Sequence, residues 1–365
     1  MTTFEKNLKE KAKSLGNMKP VMTEGSVRWE SPSNIAIVKY WGKYPIQIPA
    51  NASLSLTLAK AVTQTRIGYS FRKKQTGVQL DFTFEGTGQP EFAARMEKYL
   101  GSISDYLPWL NGTRLTISSE NTFPHSSGIA SSASAMSAVA LGLCEIEEQL
   151  YGMSDPDGFF KKASFIARLG SGSASRSVYG NMTVWGYTSS CKDSSDEYAI
   201  PVDDIHANLL GMKDSILIVE SGKKKVSSSM GHDLMKSNPY AKLRFDAAEE
   251  NMRMLCSIVR EGDIMQFIDV MENEALTLHA MMMTSRPGFL LMKANTVEAI
   301  HRIREYRRKS GMSVGFTLDA GANVHVLYPE KEAGEIRKFI DEELAELCEN
   351  RRVIHDRMGG GPVKL

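Results

Sequence analysis

No stretch of 18 consecutive apolar residues occurs in the 365-residue chain, so no transmembrane helix is expected. Cysteine is scarce. Cys144, Cys191, Cys256 and Cys348 lie far apart in sequence with no C-x-x-C. They read as reduced thiols of a cytoplasmic protein rather than a disulfide framework or a zinc site. The seven histidines form no H-E-x-x-H or comparable cluster, so no metal centre built from protein ligands is expected. Charge of neither sign is in excess: 44 lysines and arginines stand against 43 aspartates and glutamates, a net +1. That balance leaves no electrostatic footprint for nucleic acid or an acidic membrane. Internal repeats and long low-complexity segments are missing. The opening MTTFEKNLKEKAKSLGNMK is charged and has no apolar core, so it does not read as a signal peptide.

What remains is an ordinary globular composition, 42% hydrophobic and 24% charged. The length suggests two domains. Residues 1–24 read as a frayed or helical extension, and 26–41 as strand, turn, strand. The alternating GVQLDFTFEG (77–86) reads as a half-buried strand. PEFAARMEKYLGSISDYLP reads as a helix and TRLTISSE (113–120) as a strand feeding a serine-rich junction. A helix then runs to about Tyr151, and another, near 155–169, breaks at GSGSAS before a strand at MTVWGY. Residues 188–212 are polar and irregular, and the domain boundary is placed there, giving 1–210 and 211–365. Beyond it come a strand at DSILIVES, a loop at GKKKVSSSMGHD, and two or three long helices between about 238 and 309. GFTLDAGANVHVLY (315–328) reads as two strands joined by a turn from Asp319 to Asn323. A charged helix (331–349) and a glycine-rich tail close the chain. Strands and helices mix in both halves, which argues an α+β fold.

Four segments carry candidate chemistry, and a fifth is basic. SENTFPHSSGIASSASAMSAVALG packs seven serines and two glycines around a helix start. It is either a phosphate cradle, in which small residues let backbone N–H groups approach an anion, or a plain helix cap. No Walker A motif is present. In ARLGSGSASRSVYG, Ser171, Ser173 and Arg176 could converge on an anion, or form a linker with a solvated arginine. In NIAIVKYWGK, Lys39 interrupts an apolar strand and Lys43 follows; snorkelling to the surface is the alternative. Asp319 in LDAGAN either acts in a site or caps its turn. The loop SGKKKVSSSMGH could bind phosphate or lie exposed.

Together, and in this order, NIAIVKYWGK…IPANASLSLTL, SENTFPHSSGIASSAS, ARLGSGSASRSVYGNMTVW, KKKVSSSMGH and TLDAGANVHVLY resemble the diphosphomevalonate decarboxylase family. That family sits in the superfamily of galactokinase, homoserine kinase, mevalonate kinase and phosphomevalonate kinase. The resemblance spans about residues 26–330. It implies an N-terminal domain like ribosomal protein S5 domain 2, a ferredoxin-like C-terminal domain, and an active site in the cleft between them. It implies ATP, Mg²⁺, a small-molecule substrate and a homodimer.

By the same resemblance, Pro124, Ser127, Gly128, Ala130, Ser131, Ser132 and Ser134 form the ATP phosphate loop, with Mg²⁺ near Ser131 and Ser132. Tyr40, Lys43, Ser171, Gly172, Ser173 and Ser228 would hold the substrate, Arg176 its carboxylate. Asp319 would face the C3 hydroxyl, with Lys39 and Ser132 completing the catalytic set. The family pattern is not met everywhere. Thr122, His125, Ser126 and Ser127 replace its usual residues, Ala50 to Ser53 read ANAS, and the strand at 77–86 lacks an expected arginine. The implied activity is ATP-dependent decarboxylation of (R)-5-diphosphomevalonate to isopentenyl diphosphate. A mevalonate 3-kinase or a 5-phosphomevalonate decarboxylase is the alternative.

Overall fold

The computed structural model describes residues 2–71, 77–124, 129–222 and 228–365, with the side chains of residues 157, 228 and 229 outside the description. It is an α+β structure built on two sheets. Helix α1 (Thr3–Gly16) starts at Thr2, whose hydroxyl accepts the Glu5 N–H at 3.2 Å. Its buried residues Leu8, Ala12 and Leu15 fall on one helical stripe. The N-terminal extension is therefore a helix docked on the core, with Phe4 against Phe165 and Tyr198.

The first sheet is formed by β1 (Glu24–Val38), β2 (Ser53–Phe71), β3 (Val78–Phe84), β4 (Thr113–Asn121), β5 (Met182–Trp185) and β6 (Ala199–Pro201). β1 pairs antiparallel with β2, β2 with β4, and β3 runs parallel to β4. β5 pairs with the first residues of β2, and β6 with β5. Every second residue of β4 is buried, as alternation requires of a strand with one face on a core. α2 (Pro90–Ile103), α3 (Ser131–Tyr151) and α4 (Pro156–Gly170) pack on this sheet and on each other. The turn expected inside 26–41 is not there. β1 is one strand, and Ser31-Pro32-Ser33 marks instead a break in its register with β2 between Pro32 and Asn34. Proline has no N–H for the ladder, so it falls where the ladder is interrupted.

β1 also joins two cores. Val27 and Trp29 belong to one, Ile35, Ile37 and Val38 to another shared with helices from later in the chain. Those are α6 (Ala241–Glu261) and α7 (Ile264–Thr284), followed by α8 (Ala294–Ser310). They accompany the second sheet, β7 (Lys213–Leu217), β8 (Gly315–Leu318), β9 (Val324–Tyr328) and β10 (Val353–Arg357), ordered β8-β9-β7-β10 and antiparallel throughout. The segment expected as a loop at GKKKVSSSMGHD lies partly outside the described residues. From Ser228 it is a helix, α5 (Ser228–Leu234), whose Gly231 packs so closely on Trp41 that a Cβ would strike the indole.

The charged helix expected at 331–349 is shorter. α9 (Ala333–Phe339) gives way to a π-turn over Ile340–Leu344 and a 3-10 turn over Ala345–Leu347. The glycine-rich tail is not a tail either. β10 pairs with β7, and β11 (Val363–Lys364) returns to pair with β1 at Glu30 and Trp29. Asp356 accepts the N–H groups of Ala59, Lys60 and Ala61 at 2.8–3.1 Å, tying the second sheet to β2. Among the described residues no helix is long and apolar enough to cross a membrane. The four cysteines are free, and folding brings the Sγ atoms of Cys191 and Cys256 to 2.7 Å.

The docked C-terminus makes a prediction. Asn181 donates to the Gly359 carbonyl at 2.8 Å, and a Cβ on neighbouring Gly180 would collide with the Gly360 carbonyl. Gly180→Ala should lower unfolding free energy by about 1–3 kcal/mol, the usual cost of overpacking. An unchanged urea midpoint would show that residues 358–364 are not held against this turn.

Candidate active site

The site begins where β1 ends. After Val38 the chain turns Lys39 inward, and its side chain is 2% exposed. Its Nζ donates to the Ala36 carbonyl at 2.6 Å and lies 3.5 Å from Asp319 Oδ1. Its backbone N–H donates to Glu274 Oε2 at 2.8 Å. Glu274, on α7, is itself held by Arg244 Nη2 and Asn251 Nδ2, each at 2.6 Å, both from α6. The strand end is thus clamped by a buried carboxylate from the far half of the chain. Burial lowers the Lys39 pKa, and the charges of Asp319 and Glu274 oppose that shift.

Arg176 sits in a 3-10 turn (Gly172–Val178) just past α4 and is 2% exposed. Neutral oxygens hold its guanidinium: Ser53 at 2.6 Å, Ser55 at 3.0 Å, and Asn34 Oδ1 at 3.3 and 3.4 Å. Trp185 lies beneath it. Burial pulls its pKa down to about 10, with Asp319 opposing, so it remains a cation at neutral pH. Among the described residues no carboxylate stands within ion-pair distance of it. A dry guanidinium held only by neutral oxygens is a strong receptor for an anion.

The first turn of α3 faces the same space. Ala130 enters it with φ +37°, in the left-handed region, its own side chain makes no capping bond, and the first turn has no acid. The positive end of the helix dipole at this start favours an anion. Ala130, Ser131 and Ser132 line the cleft, and Ser132 Oγ lies 3.5 Å from Ser171 Oγ, itself 3.4 Å from Ser173 Oγ. Ser134 is turned away, buried and bonded to Thr63 at 2.6 Å. Pro124 does not line the cleft. Ser127, Gly128 and the side chain of Ser228 lie outside the described residues.

Asp319 follows β8 directly. Its carbonyl accepts the Gly321 N–H at 2.7 Å and meets His279 Nε2 at 3.1 Å, while its carboxyl group borders the cleft, 29% exposed. The turn fixes the backbone at the end of β8 and sets the carboxylate at the edge of the cleft. Burial pushes the His279 pKa down to about 4, so at neutral pH its ring is an uncharged prop. Tyr40 is wedged between Trp185 and His232, ring centroids at 4.6 and 4.3 Å. Its hydroxyl is buried without a hydrogen-bond partner among the described residues. A Cβ on Gly172 would come within 2.8 Å of that hydroxyl, which explains glycine there. Lys43 reaches Gln47 Oε1 at 3.0 Å, and burial lowers its pKa.

These groups share one cleft of about 700 Å³. Its other limb escaped the sequence reading. Phe82 and Phe84 from β3 and Phe92, Arg95, Met96 and Tyr99 from α2 line it. The alternation of QLDFTF and the spacing of three to four residues along α2 were the available signals. β3 brings no arginine to this wall, and Arg95 on it comes from α2. His232 and Trp41 also line the cleft and were not singled out. No group of three His, Cys, Asp or Glu side chains suited to a metal occurs among the described residues.

Comparison with known proteins shows what this chain is similar to. Residues 31–197 match the diphosphomevalonate decarboxylase-like N-terminal domain, and residues 215–362 match the mevalonate 5-diphosphate decarboxylase C-terminal domain. The diphosphomevalonate decarboxylase ERG19 of Gibberella zeae is 30% identical over 320 residues, covering 83% of this chain and 81% of its own. The crystal structure of mevalonate diphosphate decarboxylase from Staphylococcus aureus is 27% identical with a TM-score of 0.80, over 94% of this chain and 98% of that one. A structure described as MDDEF in complex with MVAPP, AMPPCP and magnesium is 25% identical with a TM-score of 0.77, over 94% and 99%.

The clamp on Lys39 predicts a stability effect. Arg244 and Glu274 are each 1% exposed in their side chains, and Glu274→Ala would strand the buried guanidinium. Unfolding free energy should fall by about 3–5 kcal/mol, as for other broken buried pairs. A loss below about 1 kcal/mol by denaturant titration would contradict the clamp.

Proposed function

The chain belongs to the diphosphomevalonate decarboxylase family, and on that premise we propose how its cleft performs the ATP-dependent decarboxylation of (R)-5-diphosphomevalonate to isopentenyl diphosphate, CO₂, ADP and phosphate. The observation that carries the proposal is the juxtaposition of Asp319, Lys39 and the dry Arg176 around one cleft that also receives the start of α3.

A tertiary hydroxyl is a poor leaving group, and phosphorylation makes it a good one. As phosphate departs, positive charge grows at C3 and the neighbouring carboxylate supplies electrons as CO₂ leaves. Asp319 faces the C3 hydroxyl, accepts its proton during phosphoryl transfer, and favours the positive charge that follows. Lys39, 3.5 Å away, holds that carboxylate in position. Arg176 binds the C1 carboxylate. This contact stabilises the charged ground state and weakens as charge drains towards C3, so Arg176 acts through binding and orientation. Tyr40, Lys43, Ser171, Gly172, Ser173 and Ser228 hold the rest of the substrate.

The α3 amides with Ala130, Ser131 and Ser132 hold the nucleotide phosphates, with Ser127 and Gly128 assigned to the same loop by the family resemblance. Pro124 and Ser134 drop out of this set because neither lines the cleft. The aromatic limb at Phe82, Phe84 and Phe92 suits a flat base. Few protein ligands and two hydroxyls fit Mg²⁺ carried in by phosphates and water rather than a protein cage; the ion would neutralise charge on the transferring phosphoryl group. We take residues 1–210 as a domain like ribosomal protein S5 domain 2 and 211–365 as a ferredoxin-like domain. We take the protein to be a cytoplasmic homodimer.

Purified protein offered mevalonate and its 5-mono- and 5-diphosphates should release ADP and CO₂ together on the 5-diphosphate; ADP without CO₂ would mean a 3-kinase. Asp319→Asn should lower kcat by at least about 10²-fold with nucleotide affinity nearly unchanged. Arg176→Gln should raise the substrate KM and cut kcat/KM by roughly 10²-fold, the scale of a lost charged contact. Collapse of nucleotide affinity with substrate KM intact would instead assign Arg176 to the ATP phosphates.

A further inference from the structure

One residue of the cleft is unexplained by the roles above. His232, on α5, is 6% exposed and stacks on both Tyr40 and Trp41, with ring centroids at 4.3 and 5.0 Å. Its Nδ1 accepts the backbone N–H of Gly42 at 3.0 Å. A backbone N–H can only donate, so Nδ1 carries no proton. The single proton of the neutral ring must then be on Nε2. No described residue is hydrogen-bonded to Nε2, and the ring borders the cleft. The two rings it touches end in buried donors that also lack partners among the described residues, the Tyr40 hydroxyl and Trp41 Nε1.

Clustered donors without acceptors are costly to bury, and a ligand rich in acceptor oxygens relieves that cost. Arg176 and Lys43 act on His232 from the same space, which favours an anion. Asp233, the nearest acid, is on the solvent side and hardly buried.

From this geometry, and resting on the functional reading above, we infer that His232 is a substrate-contacting residue whose Nε2–H, beside the Tyr40 hydroxyl, donates to an oxygen of the substrate's diphosphate. The carboxylate end is already matched by Arg176, and the sequence around Lys43 supplies the complementary cation for phosphate. Burial, with Lys43 adding to it, holds the His232 pKa down to about 3. The donor is therefore present and uncharged throughout the pH range in which the substrate is ionised, with Arg176, Lys43, Asp233 and Tyr40 the titratable groups around it.

Two substitutions separate a ligand contact from a structural one. His232→Asn keeps an acceptor for Gly42 and loses the donor at the Nε2 position. His232→Gln places an amide N–H near Nε2 and gives up the acceptor. Calorimetric binding of 5-diphosphomevalonate without nucleotide should weaken roughly tenfold to a hundredfold in the asparagine variant, the range for a lost hydrogen bond to a charged group. The glutamine variant should lose at least about tenfold less. Equal losses, or the reverse order, overturn the inference. Inorganic pyrophosphate titrated into the wild-type protein should move the Nε2–H resonance of His232 and leave Nδ1 as an unprotonated nitrogen between pH 6 and 8. Unmoved ring resonances overturn the contact even if the enzyme turns over. Absence of turnover with the ring resonances shifted would fault the functional reading alone.

Discussion

Two cations held almost dry beside the Asp319 carboxylate set the terms for the rest of this protein. Lys39 and Arg176 would each be more comfortable in water, and burial depresses both pKa values. Neither is left to choose its position. Arg176 is pinned by four contacts to neutral oxygens from β1 and β2. Lys39 is pinned by its own strand and by Glu274, which borrows its rigidity from α6. The cores under β1 thus have a second purpose beyond stability, since they hold charge at fixed points where water would otherwise screen it.

In the mechanism we propose, the electrostatic roles divide along the reaction. Arg176 would attract the carboxylate that is about to leave, so its pull would be greatest before chemistry and fade during it. Asp319 does the opposite, because positive charge at C3 appears only as the phosphate departs. One site thus combines a contact that favours the ground state with one that favours the transition state. The first is tolerable because it also sets geometry, and a misdirected carboxylate could not feed electrons to C3. The α3 start supplies charge stabilisation without a side chain. Its entry residue, Ala130, is in a left-handed conformation, and the positive end of the helix dipole faces the cleft.

Much of this was legible in the chain, and the reasons are physical. Lys39 broke an apolar strand, and a lysine there must either reach water or find a partner. Serines and alanines before a strong helix former marked α3 because small residues allow close approach. The misses share a cause as well. Glu274 looked like any acid in a long helix, and its importance comes from a contact 235 residues away. His232 and Trp41 meet only after both halves fold. β11 is two residues long beside glycines, too short for any periodicity to show, and Asp356 gains its role from three amides on another strand. Ser134 sat in the right motif, but the helical turn points it at Thr63. Local pattern gave elements and suspects, whereas partners required the tertiary structure.

The central claim is that the buried cations and the carboxylate receive opposite ends of one reacting centre. A crystal structure with 5-diphosphomevalonate and a non-hydrolysable ATP analogue tests it most directly. The account predicts the C1 carboxylate on the Arg176 guanidinium, the C3 hydroxyl against Asp319, and the nucleotide phosphates at the first turn of α3. A substrate bound the other way round, with its diphosphate on Arg176 and its C3 hydroxyl remote from Asp319, would contradict it.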